Sequence, residues 1–125
     1  MTRLLLIDDE PRVARALEFA VTGRDIALST IRAPTDIVRQ VEEIAPDAVM
    51  LDVGLVGADG LELCRILKGD ARTANVPVLI LSGQTDAKTK AASFAAGADD
   101  FVAKPFVPTE LLARVEAQLK RGRTP

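Results

Sequence analysis

Apolar and polar positions follow two different periods along the chain. Four short runs are almost continuously apolar: LLLI at 4–7, AVMLDV at 48–53, VPVLIL at 76–81 and DFVA at 100–103. A fifth, IALSTI at 26–31, alternates and carries a weaker signal. Short apolar runs bounded by turn residues predict strands, and runs without alternation predict strands covered on both faces. Between them, apolar residues recur every three or four positions: Val13, Leu17 and Val21; Ile37, Val41 and Ile44; Leu63 and Leu67; Leu111 or Leu112 with Val115 and Leu119. That spacing is one face of a helix. The Ala-rich stretch 86–97 predicts another helix that stops at Gly97, a residue suited to the position just past a helix end. Pro11 and Pro108 fall where first helical turns begin, where a missing N–H costs nothing.

The order is therefore strand–helix, five times over. It predicts an α/β fold: one parallel sheet with helices on both faces and right-handed crossovers. The 125 residues suit a single domain, placed at 1–121, with 122–125 as a tail or the start of a linker. Apolar residues make up 48 % of the chain but only four are aromatic, all Phe, so Val, Leu, Ile and Ala must build the core.

Charge and rare residues narrow the chemistry. A net charge of −2 gives no global field toward nucleic acid or membrane. The basic KRGR at 120–123 reads as a solvated helix end, and without Trp or Tyr no base-stacking platform is in view. No direct nucleic-acid contact is expected of this domain. No apolar stretch approaches the roughly 18 residues of a membrane span, so no membrane association is expected. The single cysteine, Cys64, allows no intrachain disulfide and fits a reducing cytoplasm, the expected location; its apolar surroundings predict a buried, inert thiol. The chain has no His, which removes His-based zinc sites, Ser-His-Asp triads and any His general base.

In an open α/β sheet, ligands bind beyond the carboxyl ends of the strands. Those ends carry Asp8 and Asp9 on the first strand, Asp52 on the third, Ser82 and Gly83 on the fourth, and Lys104 and Pro105 on the fifth. Two carboxylates about 4 Å apart repel by roughly 1 kcal/mol in water and about 4 kcal/mol at an effective dielectric of 20. Lys104 offsets part of that, and a divalent cation offsets more. Mg²⁺ suits the site because it takes oxygen from one or two carboxylates and keeps several waters. Metal, lysine and hydroxyl together clamp phosphoryl oxygens, and a carboxylate can accept the phosphoryl group.

The motifs LLLIDDEP, AVMLDVGLVGADGLELC, VPVLILSG and GADDFVAKPF resemble the receiver domain of bacterial two-component response regulators, over essentially the whole chain from Arg3 to about Lys120. The resemblance implies a flavodoxin-like sheet in the order 2-1-3-4-5. It implies that Asp52 is the phosphoacceptor, and that Mg²⁺ is held by Asp8, Asp9, Asp52 and the carbonyl of Gly54. Ser82 is implied as the switch hydroxyl, Phe101 as the switch aromatic, Lys104 as the phosphoryl contact, Pro105 as its following proline, often with a cis bond, and Gly83 as the small residue that leaves access open. A sensor histidine kinase or phosphotransfer protein is the implied donor. The face made by the fourth helix, fifth strand and fifth helix, about residues 86–120, is the implied output surface and the expected homodimer contact. The domain is expected to catalyse only its own phosphorylation and dephosphorylation.

Two departures from the pattern stand out. Val56 occupies the place four residues after the acceptor where the family usually has Pro, and the switch aromatic is Phe rather than Tyr. Other readings weigh less. Rim acids that merely solvate a domain leave Ser82 and Lys104 unexplained. An aspartyl-nucleophile phosphohydrolase would carry Asp-x-Asp, whereas Asp52 is followed by Val53 and Gly54. A degenerate receiver, acting as a phosphorylation-independent interaction module, is opposed by the complete acid set, Ser82 and Lys104.

Overall fold

Five strands and five helices alternate in the computed structural model, which describes residues 1–122: β1 Thr2–Ile7, α1 Pro11–Val21, β2 Ile26–Ile31, α2 Ile37–Ile44, β3 Ala48–Asp52, α3 Gly60–Gly69, β4 Val78–Ser82, α4 Ala87–Ala95, β5 Asp100–Ala103 and α5 Pro108–Gly122. The strands form one parallel sheet in the order β2-β1-β3-β4-β5. The tail expected at 122–125 lies outside the described residues except for Gly122, which closes α5. No helix among the described residues is long and apolar enough to cross a membrane.

Burial accounts for the strand signals of β2, β3 and β4. Every residue of β3 and β4 is buried, which accounts for their unbroken apolar runs. β2 lies at an edge and is half exposed, which accounts for its alternation. β4 starts two residues into the apolar run at 76–81. Pro77 has no N–H to give a ladder, although its carbonyl accepts from the Val49 amide at 2.9 Å. Lys68 fixes this entry by donating to the Val76 carbonyl and to Asp99, each at 3.0 Å, while Asp99 accepts from the Val78 amide at 2.8 Å.

Local sequence sets the helix ends. Pro11 and Pro108 open α1 and α5. Asp59 caps α3 by accepting from the amides of Leu61 and Glu62, and Asp86 caps α4 by accepting from Thr89 at 2.7 Å. Beyond α4, Gly97 takes φ +99°, a conformation that glycine adopts without a Cβ penalty.

Strand alternation divides the core in two. Leu5, Ile7, Val49, Leu51, Val78, Ile80 and Phe101 face one side and pack with α2 and α3 residues such as Val41, Cys64 and Leu67. Leu4, Leu6, Met50, Leu79, Leu81 and Val102 face the other and pack with Leu17 of α1 and Leu111, Leu112 and Val115 of α5. The same period of two decides where the side chains beyond each strand end point.

Candidate functional site

Register brings the strand ends level. Ile7 is opposite Leu51, so the next residues, Asp8 and Asp52, stand side by side. Ser82 is opposite Ala103, so Gly83 and Lys104 follow as neighbours. Asp8, Asp52 and Lys104 continue the alternation of Leu6, Met50 and Val102 and therefore point toward the α1/α5 side. The Lys104 ammonium donates to Asp8 Oδ2 at 2.9 Å and lies 3.3 Å from Asp52 Oδ1. Asp8 and Asp52 are almost fully buried, at 1 % and 5 % exposure.

Backbone amides also bond these carboxylates: the second oxygen of Asp8, and the same Asp52 oxygen that faces Lys104. Glu10 N–H donates to Asp8 Oδ1 at 2.9 Å, and Gly54 N–H donates to Asp52 Oδ1 at 3.0 Å. These are local contacts, each two residues on from its acid. Asp9 is only half-buried, and its Oδ2 accepts from the Val56 amide at 2.8 Å, across from the loop that follows β3. Oxygens of Asp8, Asp9 and Asp52 lie within 4.8 Å of one another. Carboxylate oxygens are the hard donors that Mg²⁺ takes, one or two of them directly with water in its other positions, so the residues fit the cation.

The electrostatics reflect burial against pairing. Desolvation pushes the Asp8 carboxyl above its ordinary range, outweighing the Glu10 amide and Lys104, which pull it down. For Lys104, burial is the largest single influence and lowers its pKa. The carboxylates of Asp8 and Asp52 together outweigh it and hold the ammonium above its ordinary range. Lys104 is thus firmly charged, beside a buried acid that it only partly compensates.

A cleft of about 520 Å³ opens onto this cluster. Glu10, Arg12, Val13 and Ala16 of the α1 side form one wall, and Pro105, Phe106 and Pro108 form another, with Asp52, Gly54, Gly83 and Lys104 at the base. A Cβ added at Gly83 meets no atom within 4 Å, so this approach is open. The Lys104–Pro105 peptide is cis.

Two residues expected at the site sit on the other face of the sheet. Ser82 follows the alternation of Val78 and Ile80, toward the α2/α3 side, and is buried. Its hydroxyl donates to the Gln84 carbonyl at 3.1 Å and accepts from the Gln84 amide at 3.0 Å. Phe101 is buried in the same layer at 8 % exposure, with the Lys90 ammonium of α4 5.9 Å from its ring centre. Two further features have partners that the linear pattern does not show. One is the bond from Val56 to Asp9. The other is Gly60, where an added Cβ falls 2.4 Å from Val53 Cα and 2.5 Å from the Asp52 carbonyl oxygen. Gly60 thus lets α3 start directly against the backbone of Asp52.

The profile of the response regulator receiver domain family matches residues 4–116. The chain is 38 % identical over 120 residues to the DNA-binding response regulator MtrA of Mycolicibacterium smegmatis, covering 96 % of this chain and 51 % of that protein. It is 40 % identical over 122 residues to the transcriptional regulatory protein KdpE of Mycobacterium tuberculosis, covering 98 % and 53 %. The chain therefore spans about half the length of the curated relatives it matches. Among solved structures, it superposes on the BeF3-activated receiver domain of DrrB with a TM-score of 0.81 and 32 % identity, covering 97 % of this chain and 99 % of that one.

Proposed function

This chain belongs to the response regulator receiver domain family, and we propose that Asp52 is its phosphoacceptor. The observation that carries the reading is the Lys104 ammonium placed between the carboxylates of Asp8 and Asp52, at 2.9 and 3.3 Å, with Asp9 beside them. A carboxylate oxygen of Asp52 attacks the phosphorus of a phosphohistidine on a sensor kinase or phosphotransfer protein. The new P–O bond forms as the P–N bond breaks, and the imidazole leaves with that electron pair. The product is an aspartyl phosphate. The donor supplies the histidine that this sequence lacks.

Each neighbouring group has a distinct part. Lys104 neutralises a phosphoryl oxygen. Asp8, Asp9, Asp52 and the Gly54 carbonyl are the residues that would hold Mg²⁺. When bound, the cation supplies positive charge for the phosphoryl oxygens. The Gly54 amide steadies Asp52 Oδ1. Gly83 and Pro105 shape an open cleft whose apolar wall of Val13, Ala16 and Phe106 suits a donor ring. Ser82 leaves Gln84 to bond the phosphoryl group, and α4, β5 and α5 carry the change to a partner or a second copy. Names of curated relatives support an output in transcription control. The domain spans 1–121, works in the cytoplasm and catalyses only its own phosphorylation and dephosphorylation.

The test is intact mass after incubation with acetyl phosphate and Mg²⁺. A phosphoryl-sized gain is expected, lost in Asp52→Asn and with a chelator. A gain that survives Asp52→Asn overturns the assignment.

A further inference from the structure

The three acids of the site differ in what holds them. Asp8 and Asp52 are bonded by amides two residues along their own strand ends. Asp9 is bonded by an amide 47 residues away, from Val56, whose side chain is 90 % exposed. The Val56 side chain therefore contributes little packing, and its link to the site is the backbone N–H. That N–H occupies Oδ2 of a carboxylate within 4.8 Å of the other two acids. Leu55, by contrast, is 8 % exposed and belongs to the core, so it fixes the loop from which the amide reaches.

We propose that the Val56 amide is an internal competitor for the divalent cation: it holds Asp9 Oδ2 from the loop after β3, and cation binding displaces the amide from that carboxylate. This rests on the reading of the acid cluster as the Mg²⁺ site. An N–H and a cation both draw on the negative charge of the same carboxylate, and the charged partner is the stronger one. Loading the site therefore spends part of the cation's binding energy on breaking the hydrogen bond. The position thereby tunes metal affinity without supplying a ligand, which makes Val56 a positioning residue.

The substitution that isolates the N–H is Val56→Pro, because proline has none. Val56→Ala keeps the N–H and removes the side chain. Mg²⁺ binding is measured by calorimetry on the whole chain, and hydrogen exchange of the Val56 amide is followed with and without Mg²⁺. The expected result is binding about fivefold tighter in Val56→Pro, the worth of one ordinary hydrogen bond, and unchanged in Val56→Ala. In the unsubstituted protein, the Val56 amide should exchange faster once Mg²⁺ saturates the site. Affinity unchanged in Val56→Pro, or raised equally in Val56→Ala, overturns the proposal while leaving the metal site standing. If Val56→Pro does not fold, the amide exchange decides alone, and exchange insensitive to Mg²⁺ overturns the proposal. No Mg²⁺ binding in any of the three proteins overturns the metal site itself.

Discussion

At the scale of single residues, this molecule places its tightest constraints where no side chain advertises them. Gly60 is the sharpest case: a methyl group there collides with backbone atoms of Val53 and Asp52, which cannot swing aside as a side chain can. Gly60→Ala is expected to cost about 3 kcal/mol, the upper end for overpacking, read as a lower urea midpoint at unchanged m-value. It should also slow phosphorylation by shifting Asp52. Cys64 makes a second prediction. It is fully buried in the layer under α3, and burial pushes its thiol up from an ordinary 9.0 to about 11. A thiol with a raised folded pKa costs nothing below pH 9.0. Between there and about 11 only the unfolded chain ionises, so stability falls as pH rises. Two pKa steps at about 1.4 kcal/mol each limit the loss to about 3 kcal/mol. The difference in stability between the unsubstituted protein and Cys64→Ala, measured across that window, should shrink by this amount; a constant difference counts against it. Asp8, Asp9, Asp52 and Lys104 were legible in the sequence because acids after apolar runs are costly and stand out. Gly60 and the Val56 amide were not, because what they meet, the backbone of Val53 and Asp52 and the carboxylate of Asp9, is set by how the loop folds back on the sheet.

At the scale of elements, the fold was legible wherever period and position in the sheet agree. The central strands read as unbroken apolar runs because helices cover both faces, and edge strand β2 read weakly because one side meets water. Helix ends at Pro11, Gly97 and Pro108 followed from backbone chemistry alone. What the linear pattern left open was which face each strand-end residue takes. The period of two separates Ser82 and Phe101 from Asp8, Asp52 and Lys104, so one rim holds the reacting charges on one side and the hydroxyl on the other. That separation bears on how the change spreads. For Ser82 to reach a phosphoryl group it must give up both bonds to Gln84, and so move the segment that leads to the Asp86 cap of α4. One charge-assisted hydrogen bond supplies about 1.5–3 kcal/mol, whereas carrying a two-state element from 1:99 to 99:1 needs about 5.5 kcal/mol. Ser82→Ala is therefore expected to accept phosphate on Asp52 but to complete only part of the response. Amide chemical shifts along α4 and β5 should move part of the way seen for the unsubstituted protein on phosphorylation. A full response in Ser82→Ala would remove the hydroxyl from the switch.

At the scale of the whole molecule, the site is a standing charge imbalance that the fold tolerates because one ammonium faces two buried carboxylates. The Asp8 side chain has no exposure and that of Asp52 has 7 %, against 17 % for Lys104. Lys104→Met keeps most of the apolar stem and removes the charge, which leaves both acids without that partner. Removing one member of a buried ion pair costs about 3 kcal/mol at the low end, which suits a cleft open to water. The pH dependence follows from the shifts. Asp8 already titrates above its ordinary 3.8 because burial outweighs its hydrogen bonds, and losing Lys104 raises it further. A carboxyl raised on folding destabilises once ionised, so the deficit of Lys104→Met is greatest above the folded pKa of Asp8 and shrinks as pH falls through it toward 3.8. Lys104 is itself raised, so its contribution is complete below 10.5 and is lost as pH climbs through its folded value. The gap between the two proteins therefore narrows at both ends of the pH scale. Mg²⁺ should narrow it too. A more negative cluster binds the cation more tightly, and each tenfold gain in affinity adds about 1.4 kcal/mol of stability at saturating metal. Urea denaturation across pH, with and without Mg²⁺, measures both effects. A deficit that stays flat with pH and is equal in the two metal conditions would mean that Lys104 supports the fold through packing of its stem, and that the acids settle their repulsion some other way.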